Sequence, residues 1–413
     1  MASTAYASHF PLQNIPFGIA SSEKHPEPQA VTRLGDSVLF LASLAAHGLF
    51  SDVPDLPPGV FSRDVLNEFA ALGRPLCQAV RLAIQELVRS RGTTGLPDDA
   101  LEHVSAVTMH LPVHVGDFAD FSCSLEHVKN AGRIIIHDER PPPAFFHLPI
   151  VYQGRASSVV VSGTPIERPM GQFRDTKTDG AADVVFGPSR AVDYELEFAA
   201  VVGKPLEMRK RLTAAEADDH IFGFVVLNDW SARDIQAFEM IPLGPANGKN
   251  LGTTISPWIV TLDALEPHRL PPPPRVVPVP RHLEDPDNGA YAVRMQVEVV
   301  TGSDVTVTGT SEVQSLYWTV RQMVAHIVSA GSALRTGDLL ATGTVSGPGT
   351  GTHGCLLEAT RGGAAPIRLV SGESRTYLED GDVVRMTAVA GGPSSGVGWG
   401  DCLGQLLPAR PYA

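Results

Sequence analysis

The stretch Ala191-Val-Asp-Tyr-Glu-Leu-Glu-Phe198, continued by Ala-Ala-Val-Val-Gly203, constrains this chain more than any other. Its alternation is that of a β-strand, with Tyr194, Leu196 and Phe198 on one face and Asp193, Glu195 and Glu197 on the other. Neighbours on the acidic face lie roughly 7 Å apart. On a solvated face the pattern describes an edge strand with its polar side outward. The continuation is apolar on both faces, however, which carries the end of the strand into a core. Carboxylates buried that closely repel and raise one another's pKa unless a cation is held between them. Hard oxygen ligands suit Mg²⁺ or Ca²⁺, and a metal site is the expectation.

The rest of the composition narrows the class. A chain of 413 residues with 43% hydrophobic content can bury one large core or two ordinary ones. A net charge of −13, with no basic run of useful length, argues against nucleic acid or an anionic membrane as partner. The longest uncharged apolar run, Ile221 to Leu227, is too short to cross a bilayer, and the N-terminus lacks a secretory pattern. Cys77, Cys123, Cys355 and Cys402 are scattered without a C-x-x-C pair, which speaks against a zinc site and suits a reducing compartment. A soluble cytoplasmic protein is expected. With 39 Gly and 34 Pro the chain is turn-rich, favouring β architecture.

Along the chain, strand-like residues near Ser37 precede helix patterns over Val65–Leu72 and Pro75–Arg89, the second apolar at Leu76, Val80, Leu82, Ile84 and Leu87. Residues 1–115 read as an accessory domain and 116–413 as the domain carrying the chemistry. Asp120 and the pair Glu126-His127 come first, then Tyr152, a Gly/Asp-rich loop at 176–182, and the acidic strand. Ile221–Asp229 reads as a buried strand ending in an acid. Ser231-Ala-Arg-Asp234 has the form of a capping box, with Arg233 and Gln236 sharing one face of the first turn. A glycine-rich loop from Leu243 carries Lys249. Ser315–Ser329 is a helix candidate, while Val293–Val300 pairs with Val305–Thr308. Asp338–Thr344, Cys355–Ala359, Ile367–Val370 and Asp382–Met386 read as strands.

Several motif matches are set aside. Gly392-Pro-Ser-Ser-Gly396 has the nucleophile-elbow pattern but is followed by Val-Gly-Trp-Gly, which cannot start the required helix. Gly349-Thr-Gly-Thr-His-Gly354 matches a dinucleotide fingerprint without a βαβ unit around it. Pro112 between His110 and His114 prevents a ligand pair on one helix face. Glu284–Gly289 is a turn and not a calcium loop, because its spacing breaks the EF-hand pattern.

Five segments taken in order resemble the fumarylacetoacetase family nearly end to end. They are Phe10-Pro-Leu-Gln-Asn-Ile-Pro-Phe-Gly, Arg155-Ala-Ser-Ser-Val-Val-Val-Ser-Gly-Thr-Pro-Ile, Asn228-Asp-Trp-Ser-Ala-Arg-Asp-Ile-Gln, Gly252-Thr-Thr-Ile-Ser-Pro-Trp and Val397-Gly-Trp-Gly-Asp-Cys. The resemblance implies a mainly β fold with some α: a small SH3-like N-terminal domain, then a mixed β-sandwich roll, assembled as a homodimer. It implies a carbon–carbon bond hydrolase of tyrosine catabolism that acts on a small diketo acid. Its metal ligands would be Asp120, Glu195, Glu197 and Asp229, with Asp193 outside that set. Lys249 and Thr253 would lie with Asp229 at a second, structural cation. His127 would be the general base, oriented by Glu358, and Arg233, Gln236 and Lys249 would stabilise an oxyanion. Tyr152 and Thr344 match substrate contacts. Three other contact positions depart from the family: Ser122 and Met240 stand where it has tyrosines, and Ile136 or Ile135 where it has an arginine, although Arg133 and Arg140 are near.

The chemistry is coherent by itself. Hydrolysing a 1,3-diketone needs an activated water, a polarised carbonyl and a home for the departing carbanion's charge. A carboxylate-held histidine, a divalent cation and positioned Arg and Lys donors supply these. A decarboxylase or tautomerase would keep the enolate chemistry without water, but the N-terminal domain and the His127/Glu358 pair speak against it. A non-catalytic homologue is disfavoured by the retained acids, since clustered charge without function is costly.

Overall fold

The computed structural model describes residues 4–176, 182–285, 287–392 and 396–410. Short β-branched and aromatic runs near the N-terminus form a five-stranded antiparallel sheet. Its order is Leu101–His103, Ser37–Phe40, Gln29–Leu34, Phe17–Ser22 and Val107–His110. Gln29–Leu34 turns into Ser37–Phe40 through Gly35 and Asp36, and the φ of +58° at Gly35 is the left-handed geometry such a two-residue turn demands. The helix Arg74–Arg91 begins with Pro75 in its first turn and buries Val80, Ile84 and Leu87. Leu82, grouped with that stripe by its sequence spacing, lies on the outer face and is 49% exposed.

After His110 the chain enters a mixed sheet that positions everything discussed below. Its main path runs Val151–Gly154, Phe118–Phe121, Leu339–Ala341, Leu196–Val202, Ile221–Asp229, Thr253–Ile255 and Val159–Val161. Both faces are covered. Phe198, Ala200, Phe224 and Val226 pack into a core shared with a second sheet, whose order is Asp304–Glu312, Val293–Thr301, Val383–Ala390, Val397–Leu407 and Ile166–Glu167. Ala199, Val201, Val225 and Leu227 pack instead with Phe17 and Phe69 of the N-terminal region. This double burial explains why the acidic strand continues as an unbroken apolar run. Phe198 stacks on Phe224 at 4.7 Å, with Trp399 edge-on at 5.5 Å, and each such pair contributes about 0.5–1.5 kcal/mol beyond its buried area.

Local pattern misleads at several places, Ile367–Val370 among them, where only Ile367–Arg368 is strand. Cys355–Ala359 is no strand: Leu356–Ala359 forms a helical turn whose first two N–H groups donate to Asp193 at 2.8 and 2.9 Å. A tertiary carboxylate decides what five residues of sequence leave ambiguous. The helix expected over Ser315–Ser329 narrows to Val320–Ile327, started by a capping box between Thr319 and Gln322. Ser231 does not cap the helix Arg233–Glu239, because Ser231–Ala232 is drawn into pairing with Val192–Asp193. The strand expected over Asp338–Thr344 covers only Leu339–Ala341. Residues 393–395 of the elbow-like match, Pro286 of the calcium-loop match, and 177–181 of the loop before the acidic strand lie outside the described residues. Among the described residues no helix is long and apolar enough to cross a membrane.

Candidate active site

One end of the mixed sheet gathers the polar residues. Antiparallel register puts Asp120 opposite Tyr152 and Asp229 opposite Thr253. Leu196 pairs with Asn228, which sets Glu195 and Glu197 beside Asp229 at the same end. Asp120 arrives through parallel pairing of its strand with Leu339–Ala341. Thus four carboxylates from three strand segments converge, with one oxygen from each within 4.8 Å of the others. Every one is buried. Asp193, which shares the sequence alternation, falls outside this group because the strand breaks at Tyr194 and Glu195.

The cluster's hydrogen bonds are lopsided. Lys249 donates to Glu195 Oε2 at 2.5 Å and Asp229 Oδ2 at 2.7 Å, while Thr253 Oγ1 donates to Asp229 Oδ1 at 3.0 Å. Lys249 therefore brings a positive charge to the group and no metal-ligating lone pair. Tyr152 donates to Asp229 Oδ2 at 2.7 Å; burial, then Asp120, push its phenol well above the usual range, so it stays protonated. By contrast Asp120 Oδ1 and both oxygens of Glu197 are buried with no partner. Burial, then the neighbouring acids, push Asp120 and Glu197 well above the carboxylate range. Burial also opposes ionisation of Glu195, but Lys249 and Arg233 outweigh it and hold that group low. Unpartnered buried carboxylate oxygens are expensive. A donor set made wholly of carboxylate oxygens, three of them idle, fits a hard divalent cation.

A second cluster adjoins the first. Ser124 caps the helix Leu125–Ile135 by accepting from the His127 N–H, which fixes His127 in the first turn. His127 Nδ1 meets Glu358 Oε2 at 2.8 Å, leaving Nε2 for a reacting proton. Glu358 also receives Ser346 Oγ at 2.7 Å, Asn130 Nδ2 at 2.9 Å and Cys355 Sγ at 3.2 Å. Sequence reading missed Asn130 and Ser346; the only available signal was Asn130 standing three residues after His127 on one helix face. Burial lowers the His127 pKa, but the Glu358 charge and hydrogen bond outweigh it, and the net shift is upward. Burial works against ionised Glu358 too, yet His127 and the other donors bring it down to about 2. Glu195 and Arg233 also act on His127 electrostatically, so the two clusters share one field.

Arg233 joins them. Its Nε donates to Asp193 Oδ2 at 2.9 Å, and its Nη1 to Glu195 Oε1 at 2.7 Å and Gln236 Oε1 at 3.2 Å. Arg233 Nη2 and Thr344 Oγ1 remain as buried groups without a partner, two donors free for a bound oxyanion or carbonyl. Gly343, at φ +73°, allows that turn; a Cβ there would lie 2.0 Å from the Phe121 carbonyl oxygen.

His127 opens onto a cleft of about 730 Å³ that Ser122, Ile135, Ile136 and Met240 also line. The base and the three departing contact positions thus share one cavity, whereas Tyr152, Gln236 and Thr344 are not among its lining residues. Arg133 is turned away to Glu139 at 2.6 Å, and Arg140, on the cleft wall, is held by Asp138 at 2.6 Å.

Residues 117–404 match the family described as fumarylacetoacetate (FAA) hydrolase C-terminal, and residues 13–112 the fumarylacetoacetase N-terminal family. The fumarylacetoacetase of Aspergillus fumigatus is 45% identical over 97% of this chain and 96% of its own. That of Arabidopsis thaliana is 42% identical over 98% and 97%. In fold, the chain is similar to the fumarylacetoacetate hydrolase of Exiguobacterium antarcticum, with TM-score 0.52 and 17% identity over 96% of this chain and 100% of that one.

Proposed function

The chain belongs to the fumarylacetoacetase family of carbon–carbon bond hydrolases, and we propose that it cleaves fumarylacetoacetate, or a related, less anionic 1,3-diketo acid, with water. His127 takes a proton from water at Nε2 while the water oxygen attacks the carbonyl carbon, and Glu358 stabilises the resulting imidazolium. Arg233 Nη2 and Lys249 accept the charge that develops on the carbonyl oxygen, with Gln236 holding the guanidinium in place. The carbon–carbon bond then breaks, its electron pair leaves as an enolate, and the His127 proton returns to that carbon. Water is consumed, and a carboxylic acid and a shorter ketone are formed. A divalent cation held by Asp120, Glu195, Glu197 and Asp229 would supply Lewis-acid polarisation of the dicarbonyl; Mg²⁺ and Ca²⁺ both suit those oxygens.

The observation carrying this reading is the 2.8 Å His127–Glu358 contact beside a buried, partnerless set of carboxylate oxygens. Loss of diketone ultraviolet absorbance, followed in chelator and after adding back Mg²⁺ or Ca²⁺, tests it. Turnover abolished by chelation and restored by either ion is expected; undiminished turnover in chelator overturns it. The same reading carries a cytoplasmic homodimer with its domain division near residue 115, which solution mass, fractionation and limited proteolysis check.

A further inference from the structure

The cleft beside His127 has a volume in the range of small-molecule sites. Its walls are largely apolar. The helix Leu125–Ile135 and its end supply Ala131, Ile135 and Ile136, and Ile150 and Met240 are also among the lining residues. Ile135 and Ile136 are 46% and 62% exposed, so two large aliphatic side chains stand uncovered on the cavity wall.

Besides His127, the charged side chains on this wall are Asp138 and Arg140. Arg140 gives Nε to both Asp138 oxygens at 2.9 Å and Nη2 to Oδ2 at 2.6 Å, so its charge is paired within the wall. Arg133 spends Nε and Nη2 on Glu139 and Nη1 on Asn130. A carboxylate bound here would lose hydration and meet only a guanidinium already paired with Asp138, whereas an alkyl or aryl group would cover exposed aliphatic surface. The cleft meets the chemistry at His127, which lines it, and at Ser122, two residues beyond Asp120.

We propose that this cleft is the subsite for an uncharged, apolar arm of the diketo acid, and that Ile136 and Met240 determine that preference. This inference rests on the reaction proposed above and names the substrate class it serves.

Calorimetric binding to the full chain tests it independently of turnover. The probes are two non-cleavable 1,3-diketone mimics, identical except for a terminal alkyl group in one and a terminal carboxylate in the other. The alkyl mimic should bind at least tenfold more tightly. Ile136→Arg, a change at an exposed position that leaves the core intact, should shift the ratio of the two affinities toward the carboxylate by tenfold or more. Equal or tighter binding of the carboxylate mimic to the parent chain overturns the proposal. So does selective loss of the carboxylate mimic in Arg140→Ala, which would mean that Arg140 leaves Asp138 to clamp an acid. Failure of the reaction reading looks different: both mimics still rank as above, but neither cleavable counterpart is turned over.

Discussion

Glu197 is fully buried and neither of its oxygens has a hydrogen-bond partner, so its charge is either compensated by a bound cation or suppressed by protonation. This gives a substitution whose effect changes sign with conditions. In chelator, Glu197→Gln removes a source of repulsion and should melt at or above the parent temperature. With Mg²⁺ or Ca²⁺ added, the parent should gain the greater stabilisation and overtake it. Paired thermal melts check the crossover; parallel shifts in both media would exclude Glu197 as a ligand. His127 offers a second test. Glu358 holds the imidazolium, so the neutral base prevails only above a pKa raised from its ordinary 6.5. The acid limb of kcat/KM should therefore lie above that value, with activity rising as pH rises through it. Glu358→Gln removes the charge and leaves burial to dominate, moving the limb to lower pH. His127→Ala should cut kcat by about 10²–10⁴ with little change in KM. A pH profile unmoved by Glu358→Gln would sink the pairing.

At the scale of elements, Asp193 is a strap. One carboxylate receives Arg233 Nε and the first two N–H groups of the Leu356–Ala359 turn, so the residue orienting His127 and the guanidinium meeting Glu195 hang from a common anchor. Asp193→Ala should cost about 3–5 kcal/mol, the usual penalty for stranding one member of a buried ion pair. It should also lower kcat more than it raises KM, because Glu358 and Arg233 both lose their alignment; denaturant unfolding and steady-state kinetics check the two effects. The sequence announces Asp193 only as one more acid in an alternating run. Its role depends on a strand break and on a turn about 160 residues away, and neither leaves a local signature. Strands buried on both faces are legible, as Ile221–Asp229 shows, since continuous apolar runs of that length have few alternatives. The Leu356–Ala359 turn is not, because a run so short fits helix and strand equally. Glu195 and Glu197 were readable for a different reason, that charge which cannot be solvated must be compensated, whereas Asp120 and Asp229 were reached only through the family resemblance. Asn130 and Ser346 were not readable, since they act only through Glu358 and touch no reacting atom.

At the scale of the whole molecule, the mixed sheet is clamped between two cores and ends in the acid cluster, so ligation and folding are coupled. The strands bearing Glu197 and Asp229 are adjacent in that sheet, and one strand, Leu339–Ala341, separates the Asp120 strand from the Glu197 strand. Unfolding any of them disperses the ligand set. A cation that binds only the folded chain stabilises it by RT ln(1 + [L]/Kd), about 2.7 kcal/mol at a hundredfold excess over Kd. For 413 residues unfolding as one unit, an entropy near 2.1 cal/mol/K per residue converts this to roughly 3 °C. Tm should thus rise by roughly 1–2 °C for each tenfold increase in free Mg²⁺ or Ca²⁺ above Kd, and chelator should return it to the baseline. The same titration should restore activity with the same midpoint, since one set of carboxylates serves both. Two midpoints far apart would mean that the stabilising ion and the catalytic ion occupy different places. A Tm indifferent to both chelator and cation would mean that the four acids share protons and hold no metal.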